Sequence, residues 1–224
     1  MTNEEGLEEP RVIQVPEDRE QWQALVEVGA RVIARGGLVV LPTDTLYGVG
    51  CDPFDAGAVD ALFKAKGRGH DLPLPVLVHT WRQAVGLVED VTERAQSLIA
   101  EFWPGPLTIV LREAPGIGWD LGDSRGTVAL RMPKQDFALA LIERTGPLAV
   151  TSANRSGQPA ATSVDVIVRD LPDADVFFDA GEAGGGPASS IVDLSGPEPR
   201  LLRVGAIPTH EIERVLEEPL VDDA

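Results

Sequence analysis

The chain has 224 residues, of which 43% are hydrophobic, a formal net charge of -17 and a single cysteine. This length suits one large domain or at most two small ones, and the hydrophobic content is sufficient for a core, which argues against global disorder. The acidic excess disfavours nucleic-acid binding through a broad basic face, and the lone Cys51 excludes an intramolecular disulfide.

The predicted elements alternate between strands and helices without a strict βαβ rhythm. Runs of apolar residues predict strands at 11–15, 38–41, 76–79, 107–112, 127–131, 148–150, 176–178, 191–194 and 201–204. Helical spacing and capping residues predict helices at 18–35, 55–64, 80–88, 91–102, 135–144, 163–169 and 209–217, with N-caps at Asp55, Ser163 and Thr209. This order indicates a single α/β (α+β) domain with a twisted mixed sheet flanked by helices.

The two ends of the chain are predicted to be tails. The segment MTNEEGLEEP is acidic and lacks the apolar part of a signal peptide, and no apolar run reaches the ~18 residues of a membrane helix. We therefore expect a cytoplasmic protein that does not bind membranes. We divide the chain into an acidic tail at 1–10, a domain at 11–218 and a tail at 219–224, loose after Pro219.

Polar side chains follow the strand at 38–41 in the segment PTDTLYG. Thr43, Asp44 and Thr45 offer two hydroxyls and a carboxylate, and Tyr47 adds a phenol. Ligand-facing groups collect where the chain leaves a strand. The alternative is an ordinary turn held by local hydrogen bonds.

Cations cluster in the segment KAKGRGHDLPLP. Lys64, Lys66 and Arg68 lie within five positions, and both residue types suit phosphate or carboxylate groups. The alternative is a solvated helix end whose cations complement the helix dipole. His70 is expected to be exposed, and neither it nor the other histidines suggest a metal site.

Two further loops place small polar groups beside strands. VTSANRSGQP contains Ser152 and Asn154, and GEAGGGPASSIVDL contains Ser189. Hydroxyl, amide and backbone N–H groups can hold phosphate oxygens, although polar loops of this composition are common. With the strand-end cations Arg131 and Arg203, these loops fit one pocket for a nucleoside triphosphate and a small carboxylate such as an amino acid. Walker A, GxSxG and HExxH motifs are absent from the sequence.

These motifs together resemble the YrdC-domain family, and within it the threonylcarbamoyl-AMP synthases. The similarity runs from about Gln14 to Ile207 and is carried by GGLVVLPTDTLYGVGCD, KGR, PLPVLV, FWPGPLTIVL, VALRMP, VTSANRSGQP, SSIVDL and LLRVGAI. It implies the short single-domain form, with a YrdC-like fold and a large concave cleft. It also implies the reaction of L-threonine, bicarbonate and ATP, with Mg²⁺, to threonylcarbamoyl-AMP and pyrophosphate. A separate tRNA threonylcarbamoyl transferase would use the product, and direct tRNA binding is expected to be weak or absent.

The resemblance implies roles for individual residues. Lys66 and Arg68 match the family's KxR and are expected to be catalytic by meeting the triphosphate. The expected threonine contacts are Thr45, Arg131, Ser152 and Ser189. The expected ATP contacts are Lys66, Arg68, Thr127, Asn154, Thr162 and Arg203. Leu72 and Ala188 depart from the family pattern, since many relatives carry a polar or basic residue at the first position and an acidic one at the second.

The sequence leaves two other functional interpretations open. One is an RNA-binding YrdC-like module, against which the acidic body argues. The other is a paralogue with the same cleft and a different acceptor, for example in carbamoyl-adenylate chemistry. Lys66, Arg68, Ser152 and Asn154 favour a synthase without identifying its acceptor.

Overall fold

The computed structural model describes residues 11–183 and 186–222, so the acidic tail predicted at 1–10 lies outside the described residues. The strands are β1 (Arg11–Gln14), β2 (Val39–Leu41), β3 (Gly48–Cys51), β4 (Val76–Leu77), β5 (Leu107–Arg112), β6 (Thr127–Arg131), β7 (Leu148–Ser152), β8 (Val176–Asp179), β9 (Ser190–Asp193), β10 (Arg200–Arg203) and β11 (Val221–Asp222). The helices are α1 (Trp22–Ala34), α2 (Ala56–Lys66), α3 (Trp81–Val85), α4 (Glu93–Phe102), α5 (Asp136–Thr145), α6 (Val164–Asp170) and α7 (Thr209–Leu216). A 3₁₀ turn at Arg19–Gln21 precedes α1.

The strands form one mixed sheet in the order β1-β8-β2-β3-β7-β4-β6-β5-β9-β10-β11. The parallel pairs are β1–β8, β8–β2, β4–β6, β5–β9 and β10–β11. The remaining neighbours are antiparallel. This confirms the predicted mixed sheet with flanking helices.

Alternate residues of a strand are buried on opposite faces of the sheet. Val39 and Leu41 pack with Phe137 and Phe178 beneath α1 and α5. Val40 packs on the opposite face, with residues of α2, α4, α6 and α7. This separation follows from the strand geometry, in which successive side chains point to opposite faces.

Helices α1 and α5 cover only part of their face. Further along the sheet, Thr108 and Val110 of β5 and Ala129 of β6 line a cavity on that face. Their neighbours in sequence, Ile109 and Leu130 among them, are buried in the core on the other side. The uncovered strands therefore form the floor of a concave cleft, as the resemblance implies.

Several local predictions are wrong. Strand β3 was not predicted, because two glycines in GVGC lower its strand propensity. They are required by packing, since a Cβ at Gly48 would lie 2.5 Å from Val150 Cγ1 on β7. Thr209 is not an N-cap but the first residue of α7, with Pro208 before it. The chain after Pro219 is not wholly loose, because Val221 pairs with Arg200 of β10.

The predicted N-cap of α2 is confirmed. Asp55 caps α2, since its Oδ1 accepts hydrogen bonds from the backbone N–H groups of Gly57 (2.9 Å) and Ala58 (3.1 Å). Cys51 is a free, buried cysteine. Among the helices at 11–183 and 186–222, none is long and apolar enough to cross a membrane.

Candidate active site

The cleft contains a cavity of about 420 Å³ where several strand ends meet. Its polar lining comes from the turn after β2, the loop after α2, strands β5 and β6, the end of β7 and the segments around β9 and β10. The lining residues with polar side chains are Thr43, Thr45, Tyr47, Arg68, Thr108, Arg131, Thr151, Ser152, Ser189 and Arg203. The structure thus brings six of the predicted site residues to one cavity: Thr45, Arg68, Arg131, Ser152, Ser189 and Arg203.

The turn after β2 is held by the hydroxyl of Thr43. Its Oγ1 accepts hydrogen bonds from the N–H groups of Thr45 and Leu46, each at 3.2 Å, and donates to the Leu46 carbonyl at 2.5 Å. Local hydrogen bonding and cavity-facing groups therefore coexist here, since Thr45 also lines the cavity. The turn fixes where the Thr45 hydroxyl points.

Arg131, at the end of β6, is the most constrained cation of the cavity. Its Nη2 donates to Asp44 Oδ1 at 2.6 Å, its Nη1 to Thr45 Oγ1 at 3.0 Å and its Nε to the Gly105 carbonyl at 3.0 Å. Burial lowers the pKa of the Arg131 guanidinium, and the Asp44 carboxylate opposes this change. We call Asp44, Thr45 and Arg131 the paired corner.

Arg68 lies on the loop after α2 and is held by neutral groups. It donates to the carbonyls of Leu72 (2.8 Å) and Pro73 (3.1 Å) and to Thr151 Oγ1 (3.1 Å). Burial lowers the pKa of Arg68, while Asp71 raises it and the charge of Arg203 lowers it further. Leu72 serves Arg68 through its backbone carbonyl, so its apolar side chain does not prevent this contact.

Backbone hydrogen bonds to the segment before β6 hold the loop that carries Arg68. The Leu74 N–H donates to the Leu121 carbonyl at 2.8 Å, and the Asp123 N–H donates to the His70 carbonyl at 2.7 Å. His70 is exposed as predicted, yet its ring stacks on Phe63 with 4.1 Å between centroids. These contacts give the Gly/Pro-rich segment a defined path.

Lys66 lies behind the cavity and not in its lining. Only 2% of the residue is exposed, and its Nζ donates to the carbonyls of Ser152 and Asn154 and, at 3.5 Å, to Asn154 Oδ1. The Ser156 N–H in turn donates to the Lys66 carbonyl at 3.0 Å. Burial, with a smaller contribution from the charge of Arg68, lowers the pKa of Lys66 to about 8. Lys66 therefore ties α2 to the loop after β7.

Ser189 and Arg203 meet on the far wall. Arg203 donates through Nε to the Ser189 carbonyl (2.9 Å) and through Nη2 to Ser189 Oγ (3.0 Å). Ser189 Oγ also lies 2.8 Å from Thr108 Oγ1. Gly205 permits this arrangement, because a Cβ there would lie 2.3 Å from the Ala188 carbonyl oxygen. We call Arg68 and Arg203 the cationic wall.

The sequence motifs did not point to Thr108, and they indicated no role for Tyr47 beyond its phenol group. Thr108 is buried in the TIVL strand, where a single hydroxyl in an apolar run was the available signal. Tyr47 OH donates to the Gly181 carbonyl at 2.6 Å and accepts from the Ala180 N–H at 2.9 Å. Burial raises the pKa of Tyr47 to about 12. Tyr47 thus connects the turn after β2 to the end of β8.

Besides Lys66, three predicted ATP contacts lie outside the cavity lining. Asn154 is buried beside Lys66, and its amide donates to the carbonyls of Arg155 (2.9 Å) and Gln158 (2.7 Å). Thr127 donates to the Ser124 carbonyl at 2.7 Å, and the Thr162 carbonyl accepts from the Ala183 N–H at 2.8 Å. Within the described ranges, no group of three or more His, Cys, Asp and Glu side chains could hold a metal ion.

Charge is distributed unequally over the cavity. Arg131 forms an ion pair with Asp44, whereas Arg68 and Arg203 form none with any described residue. Arg203 lies near enough to both other arginines for its charge to lower their pKa values. The cavity therefore combines a corner neutralised by an ion pair with a wall of two arginines that form no ion pair with any described residue, although Asp71 lies near enough to raise the pKa of Arg68. This arrangement suits two different ligands.

Comparisons with known proteins identify the relatives of this chain. A sequence model of the Sua5/YciO/YrdC family, described as "telomere recombination", matches residues 31–205. A Mycobacterium leprae protein provisionally named threonylcarbamoyl-AMP synthase is 50% identical over 81% of this chain and 83% of its own length. The Pyrococcus abyssi threonylcarbamoyl-AMP synthase is 39% identical over 92% of this chain and 61% of its own length.

Solved structures extend the agreement to the fold. The crystal structure of P. abyssi Sua5 complexed with L-threonine is 38% identical, with a TM-score of 0.87 over 94% of this chain and 62% of that one. The crystal structure of E. coli YciO has a TM-score of 0.80 at 22% identity and supports the fold alone. The chain belongs to the Sua5/YciO/YrdC family.

Proposed function

We propose that this protein is an L-threonylcarbamoyladenylate synthase. It would convert L-threonine, bicarbonate and ATP to threonylcarbamoyl-AMP and pyrophosphate. The observation that carries this proposal is the unequal charge of the cavity, with the neutral Asp44–Arg131 pair beside the unpaired Arg68 and Arg203. An amino acid is a zwitterion and a triphosphate is a polyanion, so the two regions match the two substrates.

Threonine would bind at the paired corner. Arg131 has N–H groups beyond the three that are bonded to protein, and these would hold the carboxylate. Thr45 Oγ1 accepts from Arg131 and keeps its own proton for a ligand or for Thr43. Ser152 and Ser189 line the same cavity and would complete the site.

ATP would lie along the cationic wall. Arg68 and Arg203 offer charge that no described carboxylate neutralises through an ion pair, which favours phosphate oxygens. Lys66 and Asn154 would support the wall by holding the loop after β7, and the charge of Lys66 would add to its potential. Contacts from Thr127 and Thr162 would require the nucleoside to extend beyond the cavity.

The chemistry follows from this placement. The unprotonated amine of threonine attacks the carbon of bicarbonate, and the amine proton leaves with the bicarbonate hydroxyl as water. With carbon dioxide in place of bicarbonate, the amine proton passes to solvent, and both routes give the same N-carboxylate. A carboxylate oxygen then attacks the α-phosphorus, and the bond to the β-phosphate oxygen breaks to release pyrophosphate. Negative charge grows on the phosphate oxygens, which Arg68 and Arg203 would stabilise. The positioning of two anions in one cavity would supply much of the rate.

A magnesium ion fits this site as a companion of ATP. The lining offers hydroxyl groups and carbonyls but no carboxylate cluster among the described residues, which suits an ion that arrives on the triphosphate and keeps water ligands. Bound with the triphosphate beside lining hydroxyls such as that of Ser152, it would neutralise phosphate charge. We also propose a cytoplasmic location, a separate tRNA threonylcarbamoyl transferase that takes the product, and weak or absent direct binding of tRNA.

The deciding experiment measures pyrophosphate release by the purified protein with ATP, Mg²⁺ and bicarbonate, with and without L-threonine. We expect release that requires both threonine and bicarbonate. Folded protein that releases no pyrophosphate in response to threonine would refute the proposal. Release with carbamoyl phosphate would then identify the paralogue, and RNA binding that weakens steeply with salt would identify the RNA-binding module.

A further inference from the structure

The Asp44–Arg131 pair differs from the other ion pairs in the described part of the chain. Its side chains are 13% and 8% exposed, whereas the side chains of every other pair recorded there are at least 30% exposed. Removing two charges from water is costly and commonly exceeds the attraction gained, so a buried pair is weak evidence of stabilisation. Its position in the wall of the cavity indicates a role in ligand binding.

Asp44 is itself held in place by the backbone. The Lys134 N–H donates to Asp44 Oδ1 at 3.0 Å, and the same oxygen accepts from Arg131 Nη2 at 2.6 Å. The guanidinium of Arg131 also donates hydrogen bonds to Thr45 Oγ1 and to the Gly105 carbonyl. These contacts define one plane for the Arg131 side chain. Asp44 does not line the cavity, so it acts on a ligand only through Arg131.

The carboxylate of Asp44 also sets the charge of the corner. Without it, Arg131 would join Arg68 and Arg203 as a third arginine without an ion pair, and the whole cavity would attract phosphate more strongly. With it, the corner is neutral and remains able to donate hydrogen bonds. Such a corner favours the carboxylate of a zwitterion over a polyanion.

We propose that Asp44 is a positioning residue that determines the specificity of the paired corner. It orients Arg131 toward the carboxylate of an amino acid, and it keeps phosphate groups on the cationic wall. This inference rests on the proposed function. It adds a reason why two substrates that both carry anionic groups do not exchange places in one cavity.

The test compares Asp44→Asn, which keeps the shape and removes the charge, with the unchanged protein. Threonine affinity is measured by calorimetry with and without inorganic phosphate. Phosphate should leave the threonine affinity of the unchanged protein nearly constant and should weaken that of Asp44→Asn roughly tenfold, because the exposed charge of Arg131 then attracts it. The variant should also lose roughly tenfold in kcat/KM for threonine through misplacement of the carboxylate, while KM for ATP stays constant.

Two further variants separate charge from position. Asp44→Glu keeps the charge and shifts the carboxylate, so it should still exclude phosphate and yet lose kcat/KM for threonine. Asp136→Asn is the matched control, since Asp136 pairs with Arg19 on the exposed surface and should match the unchanged protein.

Each outcome is decisive. Asp44→Asn with the phosphate response of the unchanged protein would overturn the specificity role alone, and so would phosphate competition in the unchanged protein. If Asp44→Asn does not fold, Asp44→Glu with unchanged kcat/KM would overturn the positioning role. No threonine binding by the unchanged protein would overturn the proposed function, and this inference with it.

Discussion

The paired corner and the cationic wall use the same chemical group in opposite ways. At the corner, Arg131 is buried, paired with a carboxylate and held by three acceptors. On the wall, Arg68 and Arg203 are held by carbonyls and hydroxyls, which fix their direction without cancelling their charge. If the proposed function holds, the group that partners an arginine, and not the arginine itself, sets the kind of anion that each region prefers.

The largest expected effect is at the cationic wall. Arg68→Ala should reduce threonine-dependent pyrophosphate release by about 10²–10³-fold, because charge on the phosphates would lose a preorganised donor. Steady-state kinetics measure the loss, and thermal unfolding checks the Leu72–Pro73 loop that Arg68 braces. Lys64→Ala is the control, since Lys64 is an exposed cation near the end of the same helix. Turnover at the unchanged rate in Arg68→Ala would remove the cationic wall from the mechanism.

The next effect is at the paired corner. Arg131→Ala should weaken threonine binding roughly 100-fold, the scale expected when one member of a buried charge pair is removed, and should change ATP binding far less. It should also destabilise the fold by about 3–5 kcal/mol, because Asp44 is left buried without its partner. Calorimetry with each ligand and denaturant unfolding measure the two effects. Equal losses for both ligands would end the distinction between corner and wall.

A smaller effect concerns Lys66, whose charge should make both ATP binding and the stability of the fold depend on pH. The pKa of Lys66 is about 8 in the folded protein against 10.5 for an ordinary lysine, so its charge is lost as pH rises through 8. ATP binding should therefore weaken several-fold above pH 8, and threonine binding should not. Stability should rise between pH 8 and 10.5, because the unfolded chain there binds a proton that the folded chain has released. Titration calorimetry with ATP and thermal unfolding, each measured from pH 7 to about 10.5, test the two effects. The variant Lys66→Met should show neither pH dependence.

The smallest effect lies outside both regions. Burial raises the pKa of Cys51 to about 12, with further contributions from Asp52 and Asp55. The thiol should resist a disulfide reagent at pH 8 in the native protein and react after unfolding. Cys51→Ser should keep full turnover and lose about 1–3 kcal/mol of stability, since it buries a hydroxyl in the core. Lost turnover in a folded variant would reveal a catalytic thiol and a third functional region.

Much of the cavity could be predicted from sequence because its residues lie at strand ends. Thr45, Arg131 and Ser152 each follow an apolar run, and the motif order identifies the family. The roles of residues buried behind the cavity could not be predicted in the same way. Nothing in KAKGR distinguishes Lys64, which is exposed, from Lys66, which is buried behind the loop, since only the packed helix determines which of them faces inward.

The paired corner shows the same limit. Asp44 was expected among ligand-facing groups, and its actual partner is 87 positions away in the chain. Strand β3 was missed because its glycines are explained only by close packing on β7. Local propensity predicts elements, whereas long-range pairing decides which side chains meet.

The cavity and its support bring together distant parts of the chain. Asp44 and Arg131 are 87 residues apart, Lys66 and Asn154 are 88 apart, and Thr108 and Ser189 are 81 apart. A nascent chain that has only its first half folded therefore has neither substrate site, and contacts of such separation form slowly. Either substrate would consequently act as a sensor of complete folding, and its binding would raise the melting temperature of the whole sheet.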